Sequence, residues 1–303
     1  MSVYPFPPRR YRLAFGVLFL LFLLWLVGLA EARQPDARPS PAPDLLPAAE
    51  LPADAALDLS VLRAAYPGAV LGMARGASGM LELVMADGAR LAYDDGKPRT
   101  PAEAEERPDV RTMLAQVYPL GPVDEASARP APHFSPGRHR VQAFFLSLYG
   151  KSEAEARKNC RSVRFDGHGA LMQGRYGAAD ALERVWKRLE PQMAAHPEWA
   201  KTLRPFGGAF CWRSIAATDR LSAHSFGVAV DLNSHLPYWL GMRNPEKVPA
   251  QVLAFPREIV AAFEAEGFIW GGKWAEFDLM HFEYRPELIL KAKALRGEIT
   301  LPR

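Results

Sequence analysis

The N-terminal part of the chain contains eighteen apolar residues in a row, Leu13 to Ala30, directly after a basic cluster that includes Arg9 and Arg12. A helix formed by this run has no polar face, so it does not suit the surface of a soluble domain. Its length just reaches that of a membrane-crossing helix, and the arginines before it favour a cytoplasmic N-terminus. We therefore expect the rest of the chain to fold outside the cytoplasm.

Two readings of residues 1–33 are open. The small-x-small sequence Ala30-Glu31-Ala32 suits cleavage of a signal peptide, which would release the protein to the periplasm. Without cleavage, the same segment would anchor the chain in the inner membrane, facing the periplasm. Six prolines between Pro35 and Pro52 then predict an extended linker over residues 34–56.

The charge of the chain argues against a nucleic-acid partner. Its 303 residues carry 37 lysines and arginines against 34 aspartates and glutamates, a net charge of +3, and no long basic block stands out. The hydrophobic fraction of 49% is ample for one sizeable core with a smaller module beside it.

The sequence patterns predict an α+β fold, with a small antiparallel sheet flanked by helices. Residues 57–135 form a small accessory region, in which a helix precedes a hairpin around Asp87-Gly88. Residues 97–136 are expected to be irregular, apart from one short helix in RPDVRTMLAQVYP. Residues 136–303 form the main domain, with a helix ending at Gly150. Its further elements are predicted in CRSVRFDGHGALMQG (hairpin), GAADALERVWKRLEPQM (helix), GGAFCWRS and FGVAVDLN (strands), PREIVAAFEAEGF (helix), MHFEYR (strand) and PELILKAKAL (helix).

The stretch SAHSFGVAVDLN offers two ligands for a metal ion. A strand that begins near Phe226 would bring Asp231 close to His224, which lies in the preceding loop. Zinc binds imidazole nitrogen and carboxylate oxygen, and a hydrolytic zinc site has three protein ligands and one open position. The pair therefore needs a third ligand.

The later stretch GFIWGGKWAEFDLMHFEYR supplies that ligand. Asp278 and His281 are three residues apart, so a single turn can direct both side chains to one place. We predict His281 as the third zinc ligand and Asp278 as the general base, because a zinc-bound water still needs a carboxylate that accepts its proton. Zn²⁺ is thus the expected cofactor, bound on the sheet.

Arg213, in the segment CWRS, is the candidate for a fixed positive charge near the metal. We expect it on the strand before the histidine segment. Two roles remain open for it: stabilising the negative charge that develops on a carbonyl oxygen during amide hydrolysis, or binding a substrate carboxylate. For Ser222 we expect a hydrogen bond that orients a ligand.

These residues resemble a family of bacterial cell-wall zinc peptidases, which includes D-alanyl-D-alanine carboxypeptidases and phage L-alanyl-D-glutamate endolysins. Three motifs carry the resemblance over about residues 205 to 285: an upstream arginine, Ser-x-His-x-x-Gly-x-Ala-x-Asp, and Trp-Gly-Gly followed by Asp-x-x-His-Phe. The matching residues are Arg213, Ser222, His224, Gly227, Ala229, Asp231, Trp270, Gly271, Gly272, Asp278, His281 and Phe282. The resemblance implies zinc ligands at His224, Asp231 and His281 and an acid/base at Asp278.

The resemblance also implies the activity, hydrolysis of an amide bond in a peptidoglycan stem peptide by an exported zinc peptidase. Whether it acts as a carboxypeptidase or an endopeptidase is open. The alternative function is a zinc-stabilised module that binds the cell wall without cleaving it. A free Asp278 argues against this module, because structural zinc sites fill their fourth position with protein.

The two cysteines, Cys160 and Cys211, also leave alternatives. Outside the cytoplasm they can form a disulfide that closes a loop of about fifty residues. Their spacing says nothing about their distance in space, so two unpaired thiols are equally consistent with the sequence.

Overall fold

Residues 44–216, 218–238 and 245–302 are described by the structure, a computed structural model. The predicted membrane segment, residues 1–33, and residues 34–43 of the predicted linker lie outside this part. Among the helices of the described residues, none is both long enough and apolar enough to cross a bilayer.

The described residues contain α-helices of four to thirteen residues, which we number in chain order. They are α1 (Ala53–Ala65), α2 (Pro101–Glu106), α3 (Val110–Ala115), α4 (Gln142–Tyr149), α5 (Glu153–Lys158), α6 (Ala178–Leu189), α7 (Ala200–Leu203), α8 (Val248–Ala254), α9 (Arg257–Ala265) and α10 (Pro286–Leu295). Short 3-10 helices lie at Ala48–Glu50, Arg175–Gly177, Glu190–Gln192, Pro197–Trp199, Ala223–Phe226, Pro245–Lys247 and Gly271–Lys273.

The strands of the described residues form antiparallel sheets, as the α+β prediction requires. They are β1 (Val70–Arg75), β2 (Leu81–Met85), β3 (Arg90–Ala92), β4 (Cys160–Phe165), β5 (His168–Gln173), β6 (Phe206–Gly208), β7 (Ala229–Asn233), β8 (Phe268–Trp270) and β9 (His281–Tyr284). The strand orders are β1-β2-β3, β4-β5 and β6-β7-β9-β8. Both predicted hairpins are confirmed, as β2-β3 around Asp87-Gly88 and as β4-β5.

The four-stranded sheet has two chemically different faces. Val230 of β7 pairs with Phe282 of β9, and Phe282 stacks on Phe263 of α9 with ring centroids 4.0 Å apart. The neighbouring pair, Asp231 and His281, projects to the opposite face because side chains alternate along a strand. The apolar face packs against the helices, and the polar face is left for the site.

Helix α6 packs on the β4-β5 hairpin through the apolar stripe that the sequence predicts. Ala178, Leu182, Val185 and Leu189 are all fully buried. The opposite side of α6 is polar, so its periodicity of about 3.6 residues is that of a helix at the surface of a core.

The region before residue 136 is more regular than the sequence predicts. Helix α3 is the expected short helix, but α2 precedes it in the stretch that we expected to be irregular. Thr100 and Glu103 form a capping box at the start of α2, each side chain accepting a hydrogen bond from the other's backbone N–H. The sequence Thr-Pro-x-Glu is a typical helix start and could have revealed it.

The C-terminal end of the predicted linker is also folded. Leu51 is buried, the N–H of Leu46 donates to the carbonyl of Met73 at 2.8 Å, and α1 begins at Ala53, before the predicted boundary at residue 57. Leucines among the prolines can bury apolar surface against β1 and α1, which a solvated spacer would leave exposed. This part of the chain therefore differs from an extended linker.

Buried polar contacts join the region before residue 136 to the main domain. The hydroxyl of Tyr66, at the end of α1, donates to Oε2 of Glu287 on α10 at 2.6 Å, and both side chains are fully buried. Nζ of Lys291 lies 2.6 Å from Oδ1 of Asp58 on α1. The ordering of this region thus depends on α10, which directly follows β9.

Both cysteines are free thiols in the structure. Cys160 is half-buried and donates to the carbonyl of Ala156 at 3.3 Å, whereas Cys211 is exposed. Burial raises the pKa of the Cys160 thiol to about 11, which keeps it protonated at neutral pH.

Candidate metal centre and active site

His224 lies on the 3-10 helix Ala223–Phe226, not in an open loop. Gly227 follows with a φ of 67° and ends this helix, so β7 begins at Ala229 rather than near Phe226 as the sequence predicts. A Cβ atom at position 227 would lie 2.9 Å from Sγ of Cys160, which adds a steric reason for glycine. This tight turn brings His224 back over the start of the strand that carries Asp231.

Asp231 and His281 are direct partners in the antiparallel pair of β7 and β9. Their side chains project from the same face of the sheet, and Nδ1 of His281 lies 2.8 Å from Oδ1 of Asp231. Nε2 of His224 lies 3.2 Å from Oδ2 of the same carboxylate. The structure thus brings the three predicted ligands together, with their ligand atoms within 4.8 Å of one another.

The hydrogen bonding of His224 determines which of its nitrogens faces the carboxylate. Its Nδ1 lies 2.6 Å from the carbonyl oxygen of Ala209, and a carbonyl only accepts, so Nδ1 carries a proton. In the neutral ring, Nε2 then carries a lone pair, and this buried atom has no hydrogen-bond partner among the described residues. A lone pair and a carboxylate oxygen at 3.2 Å repel each other unless a proton or a metal ion lies between them.

His281 faces Asp231 with Nδ1, whereas His224 faces it with Nε2. Its Nε2 lies 3.0 Å from Oε1 of Glu283, so Nδ1 is the nitrogen that faces Asp231. Burial lowers the pKa of His281, but the hydrogen bonds to Asp231 and Glu283 outweigh it and raise this pKa to about 10. A metal ion that binds Nδ1 must therefore displace a proton.

The charges around the two carboxylates hold them ionised. Burial raises the pKa of Asp231, but His224 and His281 outweigh it and bring this pKa well below its usual range. Burial likewise raises the pKa of Glu283, but the Arg140 guanidinium and His281 lower it to about 2. Two nitrogens and a carboxylate oxygen in this arrangement suit zinc.

Asp278 lies on the turn that leads into β9, as predicted. The N–H of His281 donates to the carbonyl of Asp278 at 3.3 Å, and the N–H of Asp278 donates to the carbonyl of Gly271 at 3.0 Å. A Cβ atom at position 271 would lie only 2.6 Å from the carbonyl oxygen of Asp278. Glycine in the Trp-Gly-Gly motif thus allows the close backbone approach that positions this turn.

The Asp278 carboxyl is unusual among the acidic groups of the site. Its Oδ1 is buried and has no hydrogen-bond partner among the described residues. Burial raises its pKa to about 6, with His281 and Asp231 acting on it in opposite directions. A carboxyl group with a pKa near neutrality, next to residues that could bind a metal ion, has the property that a general base needs.

Arg213 is not on a strand. Strand β6 ends at Gly208, and Arg213 lies in the following loop, where its N–H donates to Oγ of Ser225 at 2.9 Å and its carbonyl accepts from the N–H of Ser222 at 3.0 Å. Glycine and aromatic residues between positions 207 and 212 do not continue the alternation of a strand. The Arg213 residue is exposed, and its guanidinium makes no hydrogen bond or ion pair within the part of the chain that the structure describes.

Ser222 does not orient an imidazole. Its hydroxyl caps the 3-10 helix by accepting from the N–H of His224 at 3.4 Å. The carbonyl of Ala209 does the orienting instead. Trp270 and Trp274 are buried, so they belong to the core rather than to a groove, although the Trp274 ring lies 5.9 Å from that of His281.

Glu283 is the contact of the candidate site that the sequence reasoning missed, together with the arginine that holds it. Nη1 of Arg140 donates to Oε1 of Glu283 at 2.9 Å. In the sequence HFEYR, residues 281, 283 and 285 alternate with apolar ones, so a strand places Glu283 on the same face as His281. That alternation was the available signal.

A second group of carboxylates, Asp94, Asp95 and Asp109, also gathers within 4.8 Å. Arg99 contacts Asp95 at 2.6 Å and Asp109 at 3.1 Å, and Arg111 contacts Asp94 at 2.6 Å. These arginines already neutralise the three carboxylates, so the group is an ion-pair network.

The candidate site lies in a segment that is similar to a known protein family. One family model matches residues 216–284, and its description is D-alanyl-D-alanine carboxypeptidase. The matched segment includes His224, Asp231, Asp278 and His281. Residues 216–284 are therefore similar to that peptidase family.

This match to the D-alanyl-D-alanine carboxypeptidase family confirms the resemblance seen in the sequence motifs. At the level of the family, the match supports a peptidase that acts on cell-wall peptides. Arg213 lies just before the matched segment. No curated protein and no solved structure showed a significant match to the chain.

Proposed function

We propose that this protein is a zinc peptidase that hydrolyses an amide bond in peptidoglycan stem peptides outside the cytoplasm. The observation that carries the proposal is the shared carboxylate: Asp231 faces Nε2 of His224 at 3.2 Å and Nδ1 of His281 at 2.8 Å. Both imidazoles hold their other nitrogen in a hydrogen bond, so Nε2 of His224 and Nδ1 of His281 both face this carboxylate. The family match supports the peptidase class.

The residues present fit a zinc ion. The donor set of two imidazoles and one carboxylate is that of hydrolytic zinc sites with an open position. Two buried atoms at the site, Nε2 of His224 and Oδ1 of Asp278, lack hydrogen-bond partners among the described residues, as expected of groups that act on a bound ion and its water. A zinc ion bound there would supply a Lewis acid and a water with a lowered pKa.

In the proposed reaction, Asp278 is the proton carrier. As a carboxylate it accepts the proton of the attacking water, and as a carboxylic acid it donates that proton to the leaving amine. A pKa of about 6 suits both halves of this transfer near neutral pH. The turn that Gly271 permits keeps Asp278 next to His281 throughout.

Arg213 is proposed to contact the substrate, either at the oxygen that becomes negative during attack or at a carboxylate of the stem peptide. Its exposed side chain is available to a ligand. Its backbone is bonded to Ser222 and Ser225, which flank His224, so the arginine is tied to the metal-binding segment.

The proposed location is the periplasm, with the N-terminal segment acting as an inner-membrane anchor or as a cleaved signal peptide. The basic residues before Leu13–Ala30 support this orientation. Peptidoglycan lies in that compartment, so location and proposed substrate are consistent.

The proposed function is tested by incubating the purified full-length protein with a defined muropeptide and identifying the products by mass spectrometry. We expect cleavage with zinc, none after chelation, and none with Asp278→Asn. Asp54→Asn, a change at an exposed carboxylate, is the matched control and should cleave like the wild type. Binding of the muropeptide without cleavage by the zinc-loaded wild type would instead indicate a wall-binding module.

The same products also show which amide bond the protein cleaves. Release of a single terminal D-alanine would identify a carboxypeptidase, and separation of L-alanine from D-glutamate would identify an endopeptidase.

A further inference from the structure

Glu283 contacts a metal ligand from the side opposite to the proposed metal. It lies two residues after His281 on the same face of β9 and is 1% exposed. Its Oε1 lies 3.0 Å from Nε2 of His281, while Nδ1 of that ring lies 2.8 Å from Asp231. Glu283 therefore holds the imidazole by the nitrogen that the metal does not need.

Two buried arginines hold Glu283 in turn. Nη1 of Arg140 donates to Oε1 at 2.9 Å, and Nη1 of Arg285 lies 3.5 Å from Oε2. Arg140 is 7% exposed and Arg285 is fully buried. The carboxylate is thus fixed from two directions, and Oε1 has a defined position relative to the imidazole.

Stability alone does not account for this arrangement. Bringing a carboxylate and two guanidinium groups out of water has a large desolvation cost, and an apolar set of similar volume is often as stable or more stable. On the other face of the same strand, the preceding residue Phe282 is packed by apolar contact alone, against the ring of Phe263.

We propose that Glu283 is a positioning residue for His281: it accepts the Nε2 proton and thereby keeps Nδ1 directed at the metal position beside Asp231. The inference rests on the proposed function only in requiring a metal at this site. Glu283 itself touches neither the metal nor the substrate. An acceptor of this kind on a metal-binding histidine typically changes metal affinity by about 10- to 100-fold.

The chain offers a matched control in Glu287. This residue is also fully buried, and its Oε1 accepts from Nε of Arg285, the arginine that it shares with Glu283. Its other oxygen accepts from Tyr66, and no contact with His281 exists among the described residues. Glu287→Gln therefore removes the same charge from the same network without touching the ring.

The test compares zinc affinity, by competition with a chelator, for the wild type, Glu283→Gln and Glu287→Gln. We expect Glu283→Gln to bind zinc about 10- to 100-fold more weakly and Glu287→Gln to bind with nearly wild-type affinity, whatever its melting temperature. In ¹H–¹⁵N spectra of the zinc-loaded protein, the Nε2 proton of His281 should move upfield in Glu283→Gln only.

The outcomes separate this inference from the proposed function. No zinc binding by the wild type would overturn the proposed function. Wild-type affinity in Glu283→Gln, or equal weakening in both variants, would overturn the positioning role and leave the metal site standing. If Glu283→Gln does not fold, Glu283→Asp keeps the charge between the arginines but withdraws the oxygen from His281, and wild-type zinc affinity in that variant would overturn the inference.

Discussion

Asp231 and His281, fifty positions apart in the chain, are directly opposed on β7 and β9, with 2.8 Å between carboxylate and imidazole. The register of this pair is fixed from the other face of the sheet, where Val230 and Phe282 are fully buried. A slip of one residue would move Asp231 to the apolar face and Val230 to the site. The geometry of the candidate metal ligands therefore depends on the apolar packing beneath them.

Zinc affinity should rise with pH, because His281 must lose a proton to bind the metal. Its pKa of about 10 means that the metal-free ring is protonated at neutral pH. Each pH unit below this pKa therefore lowers the apparent zinc affinity by about tenfold, because zinc must displace the proton. We expect an increase of about tenfold per pH unit between about pH 6 and 8, measured by competition with a chelator. A pH-independent affinity would show that zinc binds without displacing this proton.

Asp278→Asn should stabilise the metal-free protein at high pH while it abolishes hydrolysis. The folded-state pKa of Asp278, about 6, exceeds the ordinary 3.8. The contribution of this group to stability is therefore full below about pH 4 and is lost as the pH rises through about 6. Asparagine cannot ionise, so the variant avoids a loss of about 3 kcal/mol. Melting curves with chelator at pH 4 and pH 8 would check this.

The expected pattern for Asp278→Asn is a melting temperature a few degrees above that of the wild type at pH 8 and no gain at pH 4. Equal melting temperatures at pH 8 would contradict the view that Asp278 is a buried, unpartnered carboxylate. The exposed change Asp54→Asn should show no such pH-dependent gain.

Gly271→Ala should impair the site more than the fold. The added Cβ would lie 2.6 Å from the carbonyl oxygen and 3.1 Å from Cβ of Asp278, so the turn that carries Asp278 and His281 must move. We expect a loss of about 1–3 kcal/mol of stability together with a large loss of activity. Gly169→Ala on β5 is the control, since its Cβ meets only Oγ of Ser162 at 3.4 Å. Wild-type activity in Gly271→Ala would show that the turn accommodates the added methyl group without displacing Asp278 or His281.

Tyr66→Phe should lower the stability of the whole described unit and leave zinc affinity unchanged. It removes the 2.6 Å hydrogen bond to Glu287 and leaves a buried carboxylate oxygen unpaired, which costs about 1–3 kcal/mol. Denaturant unfolding measures this loss, with the exposed Tyr238→Phe as control. Unchanged stability in Tyr66→Phe would mean that the Tyr66–Glu287 hydrogen bond does not couple the region before residue 136 to α10.

Local patterns were enough to predict the elements that carry the ligands. The alternation in FGVAVDLN and MHFEYR predicts β7 and β9, and the spacing of histidine and aspartate in both segments identifies the groups that the structure brings together. Turn chemistry at Asp87-Gly88 likewise predicts the β2-β3 hairpin. These features depend on residues close together in the chain.

The parts that sequence reasoning missed depend on distant contacts. Arg140 lies 143 positions before Glu283, so no local pattern pairs them. The orientation of His224 depends on the backbone carbonyl of Ala209, which any residue could provide. The strand β8, Phe-Ile-Trp, is buried on both faces and therefore lacks the alternation that marks β7 and β9.

X-ray absorption at the zinc edge, combined with anomalous diffraction from crystals of the zinc-loaded protein, tests the metal centre most directly. We expect one zinc ion at about 2.0–2.2 Å from Nε2 of His224, a carboxylate oxygen of Asp231 and Nδ1 of His281, with Asp278 not coordinated. Zinc bound elsewhere, bound through Nε2 of His281, or absent from these three side chains would contradict the account.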